Sequence, residues 1–437
     1  MVQAQTGRAE EELDYDIIGV GFGPANMAIA AACSEQEAGP RALFFEANSH
    51  TSWHSGMLFP DANLQVCFAK DLVTFRNPTS PLSFLNFLVS QGRIHDFFNR
   101  GSAAPLRIEF VAYLQWAAKQ LANYVRYGHT VEQVLPVYRA GRIDHYQVSV
   151  RQGQQSQVFT GRNVIIAAGL VPSIPQEWPK DKRIIHSSQY LHEIGQHRSV
   201  KTATVIGGGQ SGAEVVLDLR SRYPEAEINL VHSRFGLTPA DETPFVNRIF
   251  DNSAVTKLFN APKSFRESIL AQHKNTNYSV VNVETIQALY DAWYSDSWLG
   301  KTRLRFHDAS SIYAMSAQEK TVDVTVSHHL DDTQETISSD LVVLATGYRP
   351  QSPQSWLGPS HLDLARDQSG DLVIGRGYAL EWKVPSDGKL VMLGTSEQRH
   401  GLSVTLLSNI ALRAGEVLSS LTAVKDANPH DYSLINS

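Results

Sequence analysis

Two glycine-rich turns constrain the fold of this 437-residue chain more than any other feature of its sequence. The first turn follows a β-rich run at residues 15–20 (YDIIGV) and precedes a stretch of small residues, 25–33. A second apolar run, residues 41–46 (RALFFE), comes next. Strand, turn, helix and strand within about 30 residues are typical of a dinucleotide-binding βαβ unit. The predicted contacts in this turn are Gly19, Gly21, Gly23 and Pro24.

The first turn departs from the G-x-G-x-x-G pattern, because Pro24 stands where the third glycine belongs and Gly23 precedes it. Its context still favours nucleotide binding. Glu46 ends the second apolar run, where an acid that binds a ribose is expected. A tight strand-to-helix turn that binds no ligand is the alternative interpretation.

The second turn lies near the middle of the chain and matches G-x-G-x-x-G in full, at Gly207, Gly209 and Gly212. Backbone amides and the helix N-terminus of such a turn bind a pyrophosphate. The next apolar run, residues 227–231 (EINLV), is followed by Arg234 and lacks the expected acid. This combination favours NADPH over NADH, and a solvent-exposed arginine is the alternative.

Two such units predict an α/β protein with two Rossmann-like dinucleotide-binding domains, one for FAD and one for NADPH. Two further apolar runs, residues 162–168 and 340–345, are predicted strands of these sheets. The chain should end in a helix over residues 403–421, where apolar residues recur at helical spacing. The expected division is an FAD-binding domain formed by residues 1–195 and 336–437, with an NADPH-binding domain, residues 196–335, inserted between them.

Composition excludes several classes of protein. With 42% hydrophobic residues and a formal net charge of −6, the chain fits a globular protein with no general affinity for nucleic acid. No apolar run approaches the roughly 20 residues of a membrane-spanning helix, and the N-terminus lacks the apolar segment of a signal peptide. We therefore predict a cytoplasmic protein without a membrane partner.

Two nucleotide sites on one chain imply that electrons pass from a nicotinamide to a flavin. The two cysteines, Cys33 and Cys67, form no C-x-x-C pair, so a disulfide acceptor is not expected. Oxygen, a quinone or an iron–sulfur carrier stays open as the acceptor. Zinc, serine-hydrolase and P-loop motifs are absent from the sequence, and we predict no metal site.

Short motifs recur in order along the chain. They are GVGFGPAN at residues 19–26, WH at 53–54, KDL at 70–72, RNPTSP at 76–81, PFVN at 244–247, NTNYSVV at 275–281, ATGY at 345–348, HGLS at 400–403 and LLS at 406–408. Together they resemble those of the microbial N-hydroxylating flavin monooxygenases. The most similar branch is the L-ornithine N5-monooxygenases of hydroxamate siderophore synthesis.

The resemblance implies that NADPH reduces FAD, that O2 then gives a C4a-hydroperoxyflavin, and that the terminal amine of L-ornithine becomes N5-hydroxyornithine. The flavin carries this chemistry, so no catalytic side chain is expected. Lys70 would pair with the substrate carboxylate, and Ser408 would lie by the flavin and the amine. Asn247 and Asn277, in or near a helical substrate-binding region over residues 240–285, would hold the α-amino and carboxylate groups. The resemblance further implies FAD contacts from Trp53, His54, Gln65, Thr346, Gly347 and Leu406, and NADPH contacts from Gln210, Ser211 and Asn277.

Departures from the family pattern leave open which amine is the preferred substrate. Ala69 and the segment 102–105 (SAAP) replace larger side chains, which would enlarge the pocket. One extra methylene changes discrimination by only about 1–3 kcal/mol, so L-lysine, putrescine and cadaverine are alternatives. A flavin electron-transfer reductase and a non-catalytic flavoprotein are the alternatives of other classes. The resemblance also implies a homo-oligomer, a dimer or a tetramer.

Overall fold

A computed structural model describes residues 12–276 and 279–422 of the chain. Within these ranges, none of the helices combines the length and the apolar composition needed to cross a membrane. The predicted contact Asn277 lies outside the described residues. The strands are β1 (Tyr15–Val20), β2 (Ala42–Glu46), β3 (Val125–Tyr127), β4 (Thr130–Arg139), β5 (Arg142–Gln152), β6 (Gln155–Ile166), β7 (Leu170–Pro172), β8 (Ile184–His186), β9 (Thr202–Ile206), β10 (Glu227–Val231), β11 (Leu304–His307), β12 (Ser310–Ala317), β13 (Val322–His328), β14 (Thr333–Ser339), β15 (Leu341–Leu344), β16 (Tyr348–Pro350), β17 (Ala379–Leu380) and β18 (Leu390–Met392). The α-helices are α1 (Pro24–Ser34), α2 (Phe84–Ser90), α3 (Ile94–Asn99), α4 (Arg107–Gln120), α5 (Tyr190–Glu193), α6 (Gln210–Arg222), α7 (Pro244–Asn247), α8 (Asn252–Asn260), α9 (Lys263–Gln272), α10 (Val283–Trp298), α11 (Gln354–Leu357), α12 (Glu397–His400) and α13 (Ile410–Thr422).

The first sheet has the order β17-β18-β6-β1-β2-β3, with β4 and β5 joined to it through β6. Strand β1 lies between β2 and β6 and runs parallel to both. Ile17 and Ile18, on its two faces, are 1% and 0% exposed and belong to different apolar clusters. A parallel strand covered on both faces needs a continuous apolar run, and YDIIGV supplies it. The first predicted βαβ unit is therefore present.

The second sheet has the order β11-β10-β9-β15-β8 and is parallel throughout. Strand β9, helix α6 and strand β10 form the second predicted βαβ unit. A three-stranded antiparallel sheet, β12-β13-β14, lies against this unit. Val322, Val324 and Val326 of β13 form one apolar cluster with Ile206 and Val231. The predicted α/β class with two Rossmann-like units is confirmed.

Strands β8 and β15 lie in the second sheet, although the predicted division assigns their residues to the FAD-binding domain. Strand β15 pairs with β8 and with β9, so both β8 and β15 lie in the second sheet, whereas the predicted division places them with FAD. The chain leaves the first sheet after β6 and enters the second at β8. Strands β7 and β16, which pair antiparallel, carry the outgoing and returning chain between the two sheets.

The C-terminal helix is shorter than predicted. Residues 402–409 form two 3₁₀ turns separated by Leu406, whose backbone is extended, and α13 begins at Ile410. The buried Arg413 side chain explains this start. Its guanidinium donates to the carbonyl oxygens of Val404, Ser403 and Leu406, which an α-helix through these residues would use internally.

Candidate functional site

The first glycine turn connects β1 to α1 and needs glycine for different reasons at different positions. Gly21 has a φ of +83°, and an added Cβ would lie 2.8 Å from the Ala167 carbonyl oxygen. Gly19 lies inside β1, where a Cβ would come within 1.9 Å of the Phe44 ring. Gly23 precedes α1 with open space where its Cβ would stand, and Pro24 begins the helix. The helix N-terminus is thus open to a ligand.

The acid predicted for ribose binding lies beside this turn. Glu46 Oε2 accepts a hydrogen bond from the Phe22 amide at 2.8 Å. Its Oε1 accepts from the Asn48 amide and side chain at 2.9 and 2.7 Å. The carboxylate is therefore held between the turn and the residues that follow β2, and its role in binding an adenosine ribose stays a prediction.

A cavity of about 330 Å³ opens at the carboxyl edge of the first sheet. Parallel strands bring their carboxyl ends to one edge, which is where doubly wound sheets bind ligands. A helix N-terminus, glycine backbone and an acid together suit the pyrophosphate and ribose of FAD. The cavity is lined by Gly21, Gly23, Pro24, Glu46, Trp53, Gly169, Gly394, Leu406 and Arg413, among others.

The structure brings only some of the predicted FAD contacts to this cavity. Trp53 and Leu406 line it, and the Trp53 ring lies 4.3 Å from His54, whose backbone is left-handed with a φ of 51°. Thr346 and Gly347 lie at the crossover between the sheets instead, where Thr346 Oγ1 donates to the Ser173 carbonyl oxygen. Gln65 lies in a second cavity.

Arg413 is a lining residue that the sequence analysis missed. Its guanidinium, 5% exposed, holds the 3₁₀ turns that form one wall of the FAD cavity. The sequence does indicate that Arg413 faces the core, because it lies three residues after Ile410 and four residues before Val417, on the apolar face of the helix. A cation on the apolar face of a helix requires partners inside the protein.

Lys70 lies on a rigid loop. The neighbouring Asp71 is 2% exposed, and its carboxylate accepts hydrogen bonds from the backbone amides of Val73, Thr74 and Phe84. Among the described residues, the Lys70 ammonium makes no hydrogen bond or ion pair with a side chain. The loop therefore presents a positive charge without neutralising it.

The segments of Asn247 and Ser408 lie next to each other. Ser408 is buried in the second 3₁₀ turn, and the adjacent Asn409 donates to the Phe250 carbonyl oxygen at 2.6 Å. Asn247 ends α7, three residues before Phe250, and its side chain donates to the Glu242 carbonyl oxygen at 3.1 Å. No hydrogen bond among the described residues joins Lys70 to either of them.

The second glycine turn is closely packed. Gly207 has a φ of +126°, and a Cβ there would lie 2.2 Å from the Ala345 carbonyl oxygen. A Cβ on Gly212 would lie 2.0 Å from the Gly207 carbonyl oxygen, so helix α6 starts directly on the turn. Gly209 precedes α6, and Gln210 and Ser211 are its first two residues. The backbone is arranged as a dinucleotide pyrophosphate requires.

The predicted 2′-phosphate contact follows β10. A hydrogen bond fixes the backbone of Arg234, since its carbonyl oxygen accepts from the Ala309 amide at 2.8 Å. The nearby His232 is buried, and its Nε2 lies 3.0 Å from Asp308 Oδ1. Burial lowers the pKa of His232, so its ring is neutral near pH 7 and Arg234 supplies the positive charge in this loop.

A larger cavity, of about 920 Å³, separates helix α6 from the loop of residues 59–67. Gln65 Nε2 donates to Asn282 Oδ1 at 2.8 Å, and the Asn282 amide donates to Gln210 Oε1 at 2.8 Å. The predicted FAD contact Gln65 and the predicted NADPH contact Gln210 are thus bridged by Asn282, which the sequence analysis missed. The segment 102–104, which departs from the family pattern, also lines this cavity.

An ion pair beside the same cavity joins helix α4 to helix α6. Arg107 of α4 meets Glu214 of α6 in a bidentate arrangement, with N–O distances of 2.7 and 2.5 Å. The two side chains are only 14% and 11% exposed. Gln210 also donates to Glu214, at 2.8 Å. This pair connects the first unit to the helix that begins at the second glycine turn.

Neither cysteine forms a disulfide with a described residue. Burial raises the pKa of Cys33 to about 12, so its thiol stays neutral at physiological pH. Cys67 lines the larger cavity without a second thiol beside it among the described residues. Both cysteines are therefore free thiols, and that thiols are not the electron acceptor stays a prediction.

Two Rossmann-like units, each with a glycine turn at the carboxyl edge of a parallel sheet, define a flavoprotein oxidoreductase that uses two dinucleotides. The family model described as L-lysine 6-monooxygenase/L-ornithine 5-monooxygenase matches residues 14–350. The chain belongs to this family.

Individual relatives agree over most of the chain. It is 40% identical over 438 residues to the L-ornithine N(5)-oxygenase of Arthrobotrys oligospora, with 95% of this chain and 90% of the relative covered. It is 35% identical over 419 residues to the L-ornithine N(5)-monooxygenase of Pseudomonas aeruginosa, with 93% of each covered. The solved ornithine N-hydroxylase of Kutzneria sp. 744, described with reduced FAD, NADP+ and L-ornithine, has a TM-score of 0.89 at 37% identity over 93% of this chain and 98% of that one.

These findings confirm the predicted family and fold class. They also confirm the predicted enzyme class, an NADPH-dependent flavin monooxygenase with FAD and NADPH as its cofactors.

Proposed function

We propose that this chain hydroxylates the terminal nitrogen of L-ornithine and releases N5-hydroxyornithine for a siderophore or a related natural product. The observation that carries this choice is its similarity, along nine-tenths of its length, to relatives named for L-ornithine. The balanced reaction is amine plus O2, NADPH and H+, giving hydroxylamine, water and NADP+. When bound, FAD supplies the oxygen-activating chemistry and NADPH the hydride that reduces it.

Each cofactor has its own residues in this proposal. FAD would lie in the 330 Å³ cavity, with its pyrophosphate at Gly21 and Gly23 and its adenosine ribose at Glu46. NADPH would lie across the second turn, with its pyrophosphate at Gly207 and Gly209. The remaining predicted contacts, at Trp53, His54, Gln65, Thr346, Gly347 and Leu406 for FAD and at Gln210, Ser211, Gly212, Arg234 and Asn277 for NADPH, belong to the same proposal.

The substrate would be held by charge and by hydrogen bonds. Lys70, whose ammonium has no partner among the described residues, would pair with the carboxylate, and Asn247 and Asn277 would bind the α-substituents. An alkylammonium has a pKa of about 10.4, so the site must favour the neutral amine that attacks oxygen. The buried Ser408 hydroxyl would donate a hydrogen bond to that neutral nitrogen.

The organisation of the molecule is part of the proposal. We assign FAD binding to residues 1–195 and 336–437 and NADPH binding to residues 196–335. Strands β8 and β15 belong to the FAD-binding ranges in sequence, but they pair in the sheet of the NADPH-binding unit. Helices α7, α8 and α9 lie within the proposed substrate-binding region, residues 240–285. A homo-oligomer in the cytoplasm, with the amine and O2 as small-molecule partners, completes the assignment.

One assay distinguishes L-ornithine from the alternative amines and a monooxygenase from an electron-transfer reductase. FAD-loaded enzyme is given NADPH and O2 with L-ornithine, L-lysine, putrescine or cadaverine, and hydroxylamine is measured against NADPH consumed. The highest kcat/KM for L-ornithine, with hydroxylamine matching NADPH, supports the proposal. A preference for another amine overturns the substrate, whereas rapid reduction of an artificial electron acceptor with no hydroxylamine from any amine favours a reductase.

Lys70→Met tests the proposed carboxylate contact. Its kcat/KM for L-ornithine should fall by about 10–100-fold, since a charge-assisted hydrogen bond to the substrate is lost. Putrescine, which has no carboxylate, serves as the internal control and should be affected far less. Equal losses for both amines would contradict this role for Lys70.

A further inference from the structure

Three side chains of the second unit form a cluster that the proposed reaction does not use. His307 ends β11, His328 ends β13 and Glu335 lies in β14. Glu335 Oε1 is 2.9 Å from His307 Nδ1 and 2.9 Å from His328 Nε2. One nitrogen of each imidazole and one carboxylate oxygen therefore converge, and these are ligand types that zinc prefers.

The second nitrogen of His307 fixes its tautomer. His307 Nε2 lies 2.8 Å from Asn229 Oδ1. In this amide orientation, the Asn229 Nδ2 group lies 3.4 Å from Glu227 Oε1 and Oδ1 faces His307. A carbonyl oxygen only accepts, so Nε2 of His307 carries the hydrogen. In the neutral ring, Nδ1 therefore presents a lone pair to Glu335.

His328 is oriented in the same way. Its Nδ1 lies 2.9 Å from Ser310 Oγ. The single hydroxyl hydrogen of Ser310 is already donated to the Asp308 carbonyl oxygen at 2.7 Å. Ser310 must therefore accept from His328 Nδ1, and the neutral His328 ring presents the lone pair of Nε2 to Glu335.

In their neutral forms, His307 and His328 would therefore turn two lone pairs towards the same carboxylate oxygen, a repulsive arrangement that a proton on a ring or a bound cation relieves. Protonation of both rings would place two positive charges on imidazoles whose centroids are 5.6 Å apart. Histidines that bind metals usually donate their other ring N–H to an outer acceptor, and both histidines do so here.

We propose that His307, His328 and Glu335 bind a zinc ion, with water as the fourth ligand. Ligand atoms in a tetrahedral zinc site lie about 3.3 Å apart. The two nitrogen–oxygen distances, 2.9 Å each, are within a few tenths of an ångström of that separation, and all three ligand atoms lie within 4.8 Å of one another. The Glu335 side chain is 45% exposed, which leaves the fourth position open to solvent. The ion would join the edge of the five-stranded sheet to the three-stranded sheet, independently of the amine substrate.

The test is a calorimetric titration of metal-depleted, FAD-loaded enzyme with ZnCl2, repeated with CoCl2 for the visible spectrum of tetrahedral Co2+. We expect one saturable equivalent, a tetrahedral Co2+ spectrum and a higher Tm with zinc. His328→Gln and Glu335→Gln should each weaken binding by more than about 100-fold, and Asn229→Ala by about 10–100-fold. The exposed neighbour His329→Gln is the matched control and should bind as the unaltered protein does.

Absence of saturable binding would overturn the proposal, as would binding that survives both His328→Gln and Glu335→Gln. Glu335 is partly exposed and glutamine has its shape, so Glu335→Gln remains informative if a histidine variant fails to fold. Zinc binding and Tm are measured without amine turnover. A failed proposal for the zinc site is therefore distinguishable from a failed proposal for L-ornithine.

Discussion

At the scale of single residues, a substitution at Gly23 distinguishes an effect on FAD binding from an effect on folding. Its φ is −77° and its Cβ would meet no atom within 4 Å, so alanine fits the protein without ligand. The new methyl group would project where a pyrophosphate approaches the turn. We expect Gly23→Ala to leave the Tm of the FAD-free protein unchanged and to weaken FAD binding by about tenfold or more. Fluorescence titration with FAD measures this.

Gly195→Ala is the control for this substitution, because Gly195 also has open space around its Cβ but lies outside the cavity. It should bind FAD as the unaltered protein does. Normal FAD affinity in Gly23→Ala would show that the first glycine turn is not the pyrophosphate site.

Arg234 tests the predicted preference for NADPH. A guanidinium that binds the 2′-phosphate contributes a charge-assisted hydrogen bond, worth about 1.5–3 kcal/mol. We expect Arg234→Ala to raise the KM for NADPH by about 10–100-fold and to leave the KM for NADH nearly unchanged. Steady-state flavin reduction with both coenzymes measures this, and equal increases for the two would exclude the role.

Residues also differ in how far the sequence could predict them. Gly21 and Gly207 have positive φ, a local property that a glycine motif reports directly. Asn282 was missed because its role depends on contacts with Gln65 and Gln210, which are distant in sequence. Local patterns contain no information on such bridges.

At the scale of elements, helix α12 couples stability to pH. His400, at its end, is fully buried, stacks on Tyr378 at 4.1 Å and has its Nε2 3.1 Å from the Arg376 carbonyl oxygen. Burial lowers the pKa of His400 from 6.5 to about 4 in the folded protein. The unfolded chain therefore binds a proton that the folded protein does not, and stability falls as the pH drops from 6.5 towards 4.

Replacement of His400 should reduce this dependence. Between pH 7 and pH 5, the free energy of unfolding should fall by about 2 kcal/mol less in His400→Gln than in the unaltered protein. Urea unfolding at the two pH values measures the difference, with the exposed His329→Gln as control. Identical pH slopes in all three proteins would mean that His400 does not titrate in this way.

Element boundaries were predictable where local pattern decides them. Strand β1 matches the predicted run because an apolar stretch followed by a glycine turn determines both of its ends. Helix α13 starts later than helical spacing predicts, because Arg413 takes carbonyl groups from the preceding turns. Periodicity reports which residues face the core, and it does not report which carbonyls a distant side chain binds.

At the scale of the whole molecule, Arg107 and Glu214 couple the two units. Glu214→Gln leaves the Arg107 guanidinium largely buried without its carboxylate, and loss of one partner of such a pair typically costs about 3–5 kcal/mol. We expect a lower Tm, with the second unit unfolding before the first in calorimetry. The double variant Arg107→Met with Glu214→Gln should lose less than the sum of the single variants, and strict additivity would contradict the coupling.

Sheet membership was the part of the architecture that the sequence could not supply. Strands β8 and β15 are short apolar runs that match either sheet, and their pairing with β9 is fixed by long-range packing. The two glycine turns nevertheless predicted both Rossmann-like units. Their spacing is local, whereas the pairing of strands from distant parts of the chain depends on the complete core.

The central claim, oxygen transfer to the terminal nitrogen of an amino acid, is tested most directly with ¹⁸O2. FAD-loaded enzyme is incubated with NADPH, L-ornithine and ¹⁸O2, and the product is analysed by mass spectrometry. We predict N5-hydroxyornithine with one ¹⁸O atom per molecule and NADPH consumed in equal amount. Consumption of NADPH with only labelled peroxide and no labelled hydroxylamine would contradict the account.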